Sequence, residues 1–479
     1  MKNGKKLWLA AGVLAGALSQ PVWAATDDEI AQLRQQIEDL DQKIRVLQRQ
    51  QEIDKENAEA KKKDTPVVVL DKKGFALQSG DKESELRING YIQADYRTYS
   101  YIGSPVDNFL IRRARLAITG KFGKYFSFNL TPSWDNNAAA LQDAYIDANF
   151  YDWFKVRAGQ FKVPFGLERL QSSANTSFVE TAFTTGLTPN YEDGVQLFGT
   201  VLNGTTDYQL AVVNGNSLGG GAATSSAGTL GDNNSSKGWA ARVFASPFKN
   251  GGEDALKGLG VGIAYEQAEA GNITAGVISV TPATVAPFAY LGNTIPGSDI
   301  RRWSPQAYWY YGPFGFLGEY VDVKQDVTRT AGALTNTRTL DSDAWQTLFS
   351  WVITGDDAGY TGVKPKKPFR IGSDGFGAVE LVARYNVYDL DDASFVGAPG
   401  AATQTQIFNT ALASPAAAVG KARDLGIGIN WYLTGNYKIQ TSYDVTTFDG
   451  AAGVFNATTN TITDRGTERV LFTRFQIGW

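Results

Sequence analysis

From about Glu85 onward the chain is a run of short segments in which apolar and polar residues alternate, broken at Gly, Asn, Asp and Pro. Leu86, Ile88, Ile92 and Ala94 interleave with Arg87, Asn89, Gln93 and Asp95. Leu110, Ala114, Leu116 and Ile118 interleave with Ile111, Arg113, Arg115 and Thr119, and Phe126, Phe128, Leu130 and Trp134 with Ser127, Asn129, Ser133 and Asp135. Segments 345–354, 378–386, 425–433 and 437–444 repeat the pattern less cleanly. Period two places alternate side chains on opposite faces of a strand, so each segment meets an apolar phase on one side and a polar phase on the other. A soluble β-sandwich alternates as well. It rarely carries so many Phe, Trp and Tyr on one face, with long polar inserts between strands. The pattern predicts an all-β fold, a transmembrane antiparallel β-barrel over 85–479 with lipid on its outer face.

The start and the end of the chain agree with export to a membrane. Lys2, Lys5 and Lys6 precede a short apolar run over 7–18, and Val22-Trp23-Ala24 offers a small residue at a cut site, which predicts a signal peptide over 1–24. The run is shorter than the ~20 residues of a spanning helix, and no later stretch is long and apolar enough to be one. In the last segment Leu471, Thr473, Phe475, Ile477 and Trp479 share a face opposite Phe472, Arg474, Gln476 and Gly478. A terminal strand ending on an aromatic residue looks like the signal read by outer-membrane barrel-assembly machinery. Hydrophobic residues make only 43% of the chain while aromatics reach 12%, as expected where lipid-facing and lumen-facing residues alternate. There is no cysteine, so no disulfide framework is available. Removal of 1–24 takes three lysines from the 45 basic residues, leaving 42 against 49 acidic ones. That mild excess says little about a pore, whose selectivity depends on which charges face it.

Between signal and barrel, residues 25–64 predict a periplasmic coiled-coil helix, followed by a linker over 65–84. Ile30, Leu33, Ile37, Leu40, Ile44 and Leu47 step by three and four, with isoleucine at a and leucine at d. Asp27, Asp28 and Glu29 at the start and Lys61, Lys62 and Lys63 near the end suit the helix dipole. In isolated parallel peptides that a/d choice favours dimers.

Histidine is absent. Without it a Ser-His dyad, a Cys-His pair or a His-ligated metal site cannot be built, and no constellation of carboxylates or lysines replaces them. The residues point away from an enzyme; no cofactor, metal or nucleic acid is expected as a partner. Segments 215–236, 277–297 and 397–420, rich in Gly, Asn, Ser, Ala or Pro, read as long external loops with too little side chain to build a core.

Several motifs in order along the barrel resemble the phosphate-selective porins O and P: FLIRRARLAITG (109–120), GQFKVPFGLERLQSS (159–173), FVETA (178–182), YWYYGPFGFLGEY (308–320), ITG (353–355), GAVELVARY (377–385) and GINWYL (428–433). The resemblance implies about sixteen strands, a homotrimer rather than a dimer, and a third loop folded inward. It further implies a passive, anion-preferring outer-membrane channel for phosphate, polyphosphate or other small anions. By that resemblance Arg112 and Arg113 match basic pore residues, and Arg169 matches a lysine of the inward loop, in which Lys162 also falls. Strand alternation adds Arg115, Arg157, Arg384 and Arg474 to the lumen face, with Lys155 and Arg242 as further candidates. Guanidinium groups suit phosphate because their fork geometry matches its oxygens. Departures from the family pattern thin the basic set: Thr181 follows Glu180 where an arginine is usual, Gln160 stands at another such position, Glu192 and Asp193 follow the loop, and Asp95, Asp143 and Asp147 belong to the lumen face. Other small solutes, such as organic acids or sugars, are the alternative cargo; a barrel that merely anchors a wall-tethering coiled coil is the alternative role.

Overall fold

A computed structural model describes residues 26–71, 74–100, 106–136, 138–215, 235–269, 288, 290–414, 418–449, 453–456, 461–464 and 466–479. The expected signal peptide, most of the 215–236 loop and the first part of the 277–297 loop lie outside them. Two compact units divide at Thr65 and Pro66. The first holds one helix, α1 (Asp27–Asp64), with Asp27, Asp28 and Glu29 in its first turn and an exposed Asp41–Arg45 pair one turn apart at 2.7 Å. All six a/d residues of the heptad stripe are exposed, Leu33 and Leu47 at 57% and 64%. The apolar stripe is therefore uncovered in a single copy of the chain.

The second unit is a closed barrel of sixteen strands: β1 (Glu85–Tyr99), β2 (Asn108–Phe122), β3 (Phe126–Asp135), β4 (Ala138–Tyr151), β5 (Phe154–Lys162), β6 (Tyr191–Val201), β7 (Thr206–Val213), β8 (Gly238–Ala245), β9 (Leu259–Ala268), β10 (Thr294–Tyr311), β11 (Phe314–Ala331), β12 (Leu334–Val352), β13 (Ala378–Asp389), β14 (Lys421–Tyr432), β15 (Tyr437–Asp449) and β16 (Glu468–Gly478). Each pairs antiparallel with its sequence neighbour, and β16 closes on β1 from Val470↔Tyr99 to Gly478↔Tyr91. Closure removes the edges that an open sheet would expose, so backbone groups are satisfied within the wall.

The predicted alternation holds along most strands. On β3, Phe126, Leu130 and Trp134 face outward, and Ser133 faces the lumen, buried. Trp134 lies toward the long-loop end and Phe126 toward the short-turn end, with aliphatic Leu130 between, the order of two aromatic girdles around an apolar band. On β2 the alternation predicted for Ile111 and Leu110 is corrected. Gln93 pairs with Arg113 but Ala94 pairs with Ile111, so Arg112 is an extra residue in a β-bulge. The bulge shifts the phase, sending Ile111 to the lipid face and Leu110 opposite lumen-facing Asp95.

Two segments expected to be irregular carry structure. Within the expected linker, strands Val67–Asp71 and Gly74–Gln78 form a hairpin, and its second strand pairs with Glu85–Ile88 of β1, beyond the end of β16. The 397–420 loop does contribute to a core. It holds a helix (Gln404–Thr410) with a Thr403–Gln406 capping box, and Leu412, Ala413, Ala418 and Val419 are fully buried. Small side chains let this backbone descend into the barrel mouth. There Ala413 and Ala418 join Phe288, Phe165, Phe183, Leu187 and wall residues such as Val321, Ala344 and Tyr388 in one cluster.

Candidate functional site

The connection between β5 and β6, residues 163–190, does not stand out from the barrel. It crosses the lumen, with Val163, Phe165, Leu167, Phe178, Val179 and Phe183 almost wholly buried. The polar lumen face of the wall satisfies its backbone. Glu319 on β11 accepts from the N–H of Leu167 at 2.5 Å, and Asn386 on β13 accepts from Phe183 N–H at 3.0 Å. Arg384 donates to the Glu180 carbonyl at 2.8 Å, Asn430 to Ser177 at 2.9 Å and Gln440 to Thr176 at 2.9 Å. Gln346 on β12 bridges Glu168 at 3.1 Å and Thr184 at 3.0 Å. A buried carbonyl or N–H left unpaired would cost about 1–3 kcal/mol, so these side chains determine where the loop can lie. From the short-turn end, Tyr360 in the 353–377 connection donates to the Leu167 carbonyl at 2.5 Å and stacks on Tyr308 with centroids 5.3 Å apart.

With the loop packed against β9 to β16, the open space lies against the opposite wall. A cavity of about 500 Å³ is lined by Tyr91, Arg115, Asp143, Tyr145, Arg157, Lys162, Tyr191 and loop residues Leu170, Ser172, Ser173 and Ala174. Asn129 and Tyr145 also line a second space, with Gln78, Glu85 and Asp147, toward the short-turn end. Arg115 pairs with Asp135 at 2.5 Å. Arg157 grips Asp147 through two bonds of 2.8 and 3.0 Å, its guanidinium 3.6 Å over the Tyr145 ring. Lys162, expected in the inward loop, is instead the last residue of β5, and it differs from both: its ammonium donates to the loop carbonyls of Arg169 at 2.7 Å and Gln171 at 3.1 Å, and to no carboxylate among the described residues.

The remaining predicted residues lie elsewhere. Because of the bulge, Arg112 and Arg113 both point inward although adjacent. Arg112 reaches Glu180 through Nε at 2.7 Å and Nη2 at 3.2 Å, and Arg113 donates to Gln93 at 3.0 Å. Burial alone would raise the Glu180 carboxyl, but Arg112, Arg97 and Arg113 outweigh it and hold the group well below the usual carboxylate range. Arg169 serves the loop itself, donating to Thr188 Oγ1 at 3.2 Å and to the Thr185 carbonyl. Arg242 donates to Gln306 at 3.0 Å. Arg384 lies buried between the Glu180 carbonyl and Asp444, the latter at 3.3 Å. Arg474 is bidentate on Asp95, at 2.7 and 2.8 Å.

Sequence reasoning missed Arg97, Glu319 and Gln346, although each lies on the polar phase of its strand, a signal available to it. It also missed Tyr91, Tyr145 and Tyr191. Tyrosine serves equally in an aromatic girdle and in a lumen, so its residue type carries no such signal.

Residues 86–452 match the family described as phosphate-selective porin O and P. The chain is 23% identical over 413 residues to Porin O of Pseudomonas aeruginosa, covering 79% of this chain and 86% of that one. In fold it is similar to the outer membrane channel DcaP of Acinetobacter baumannii, at a TM-score of 0.51 and 10% identity over 83% of this chain and 97% of that one. Outer-membrane expressed OmpT of Vibrio cholerae is similar at 0.50 and 10%, over 83% and 98%.

Proposed function

The chain belongs to the phosphate-selective porin O and P family, and from that premise we propose that small anions, phosphate among them, cross the outer membrane through the space between the inward loop and the wall of β1 to β7. Lys162, Arg115 and Arg157 contact the permeating ion. Arg112, Arg113, Arg169, Arg242 and Arg384 shape the field and hold the loop. The channel is passive and has no catalytic role.

The observation that carries this reading is Lys162. Arg115 and Arg157 each face a carboxylate, so Asp135 and Asp147 nearly cancel them, and Asp143 adds a further negative charge to the lining. Lys162 is bonded to neutral carbonyls, so among the described cations that line the passage it is the one that no carboxylate pairs. Paired guanidiniums still present N–H groups, and a series of weak sites lets an anion be passed along. Reversal potentials in planar bilayers under a salt gradient test the reading. Wild type should prefer anions and be blocked by phosphate, and Lys162→Gln should lose most of that preference. A cation-preferring wild type that phosphate does not block would overturn it.

The near balance of charge, with Tyr91, Tyr145 and Tyr191 beside it, favours a second reading in which organic acids or sugars also pass. The uncovered a/d stripe of α1 supports association of helices between copies of the chain after removal of residues 1–24; the family, and not the a/d choice, which favours dimers in isolated peptides, makes the assembly a homotrimer. A wall-tethering role for α1 is separable: deleting residues 25–64 would abolish wall attachment while leaving conductance intact.

A further inference from the structure

We propose that Glu180 is a tethered anion that occupies the arginine cluster of the barrel seam and keeps it from mobile anions, setting how weakly this channel holds its cargo. This rests on the anion-channel reading above. Where β16, β1 and β2 meet, Arg97, Arg112, Arg113 and Arg474 gather, and among the described residues Asp95 and Glu180 are the carboxylates that bond to them, nearby Asp135 being taken by Arg115. Asp95 holds Arg474 in a bidentate pair and Arg97 at 2.9 Å. Glu180, reaching across from the inward loop, takes Arg97 at 2.5 Å and Arg112 at 2.7 Å, with Arg474 at 3.7 Å. Four guanidiniums against two carboxylates leave a surplus of two positive charges. Nε of Arg97, Nε of Arg113 and Nη1 of Arg474 are buried without an acceptor among the described residues. Such a concentration of N–H groups is what binds an oxyanion, and the Glu180 carboxylate lies in it as an oxyanion would.

A purely structural role explains less. The loop is already held by Glu319, Gln346, Asn386, Asn430, Gln440 and the main-chain carbonyl of residue 180. None of these bonds uses the Glu180 carboxylate. The Arg112 side chain is 17% exposed whereas that of Glu180 is buried, so an ion from solution would meet the cluster from the Arg112 side.

The test compares wild type with Glu180→Gln in bilayers, titrating inorganic phosphate against single-channel current. The half-blocking concentration should fall by at least roughly threefold, the factor for one unit charge about 6 Å away in water, and anion preference should increase. In detergent, added phosphate should raise the melting temperature of Glu180→Gln more than that of wild type, because an ion from solution now fills the cluster. Glu180→Asn is a second neutral variant should the first not assemble. A double variant that also carries Arg112→Gln should return to the wild-type blocking concentration. A neutral variant with an unchanged or higher blocking concentration, or with conductance raised for cations and anions alike as from a loosened loop, would overturn the proposal alone. A wild type with no anion preference would overturn the channel reading and this proposal together.

Discussion

At the residue scale, the passage is governed by which cations keep their charge. Arg115 and Arg157 are matched by Asp135 and Asp147, whereas Lys162 is matched by carbonyls. Asp143 lines the same space, and its loss shifts the balance the other way. Asp143→Asn should increase the anion-to-cation permeability ratio, by roughly threefold at low salt and less at high salt, where screening shortens the reach of a charge. Reversal potentials at two ionic strengths check both halves of that statement. Gly159 shows how tightly the wall is built beside Arg157. Its φ is +126°, and a Cβ there would lie 2.2 Å from the Ala144 carbonyl oxygen. Gly159→Ala should therefore impair barrel assembly, seen as loss of the heat-dependent mobility shift of a folded barrel on electrophoresis. Glu180 carries a pH signature. Its folded carboxyl titrates well below an ordinary glutamate, so its contribution to stability is full above about pH 4.3 and is lost as pH falls from there toward the folded value. The melting-temperature gap between wild type and Glu180→Gln should narrow over that acid range and be constant above it.

At the element scale, the inward loop is the part that turns a barrel into a filter. It is held by polar bonds along 167–186 and by burial of Phe183 among Tyr388, Val321 and Ala344. Phe183→Ala should cost about 3–5 kcal/mol of that anchoring. The sixteen strands pair without it, so the barrel should still form while single-channel current becomes larger and noisier. The loop also shows what alternation can and cannot reveal. That Arg115 and Arg157 face the lumen follows from strand phase alone. Arg112 and Arg113 cannot both follow from it; a bulge places them together, and a bulge appears only when the neighbouring strand's register is known. Likewise the small residues of 397–420 look unable to form a core in isolation. They do so because aromatic side chains from the loop and the wall supply the volume they lack.

At the scale of the whole molecule, α1 and the barrel form separate compact units divided at Pro66. A chain lacking residues 27–64 should therefore still fold into a heat-modifiable barrel, while cross-linking should report less of any trimer that the helix stabilises. What the sequence by itself determined is the antiparallel barrel, because period-two alternation is a local property of strands that each face lipid and water. It determined the family as well, through motifs spread over most of the chain. Which charges remain available to an ion was decided only in the tertiary structure. Arg112 meets Glu180 across 68 residues, and Arg474 meets Asp95 across 379. Charge neutralisation acts through space over a few ångströms, and no local pattern records which acid closure of the barrel will bring within that distance.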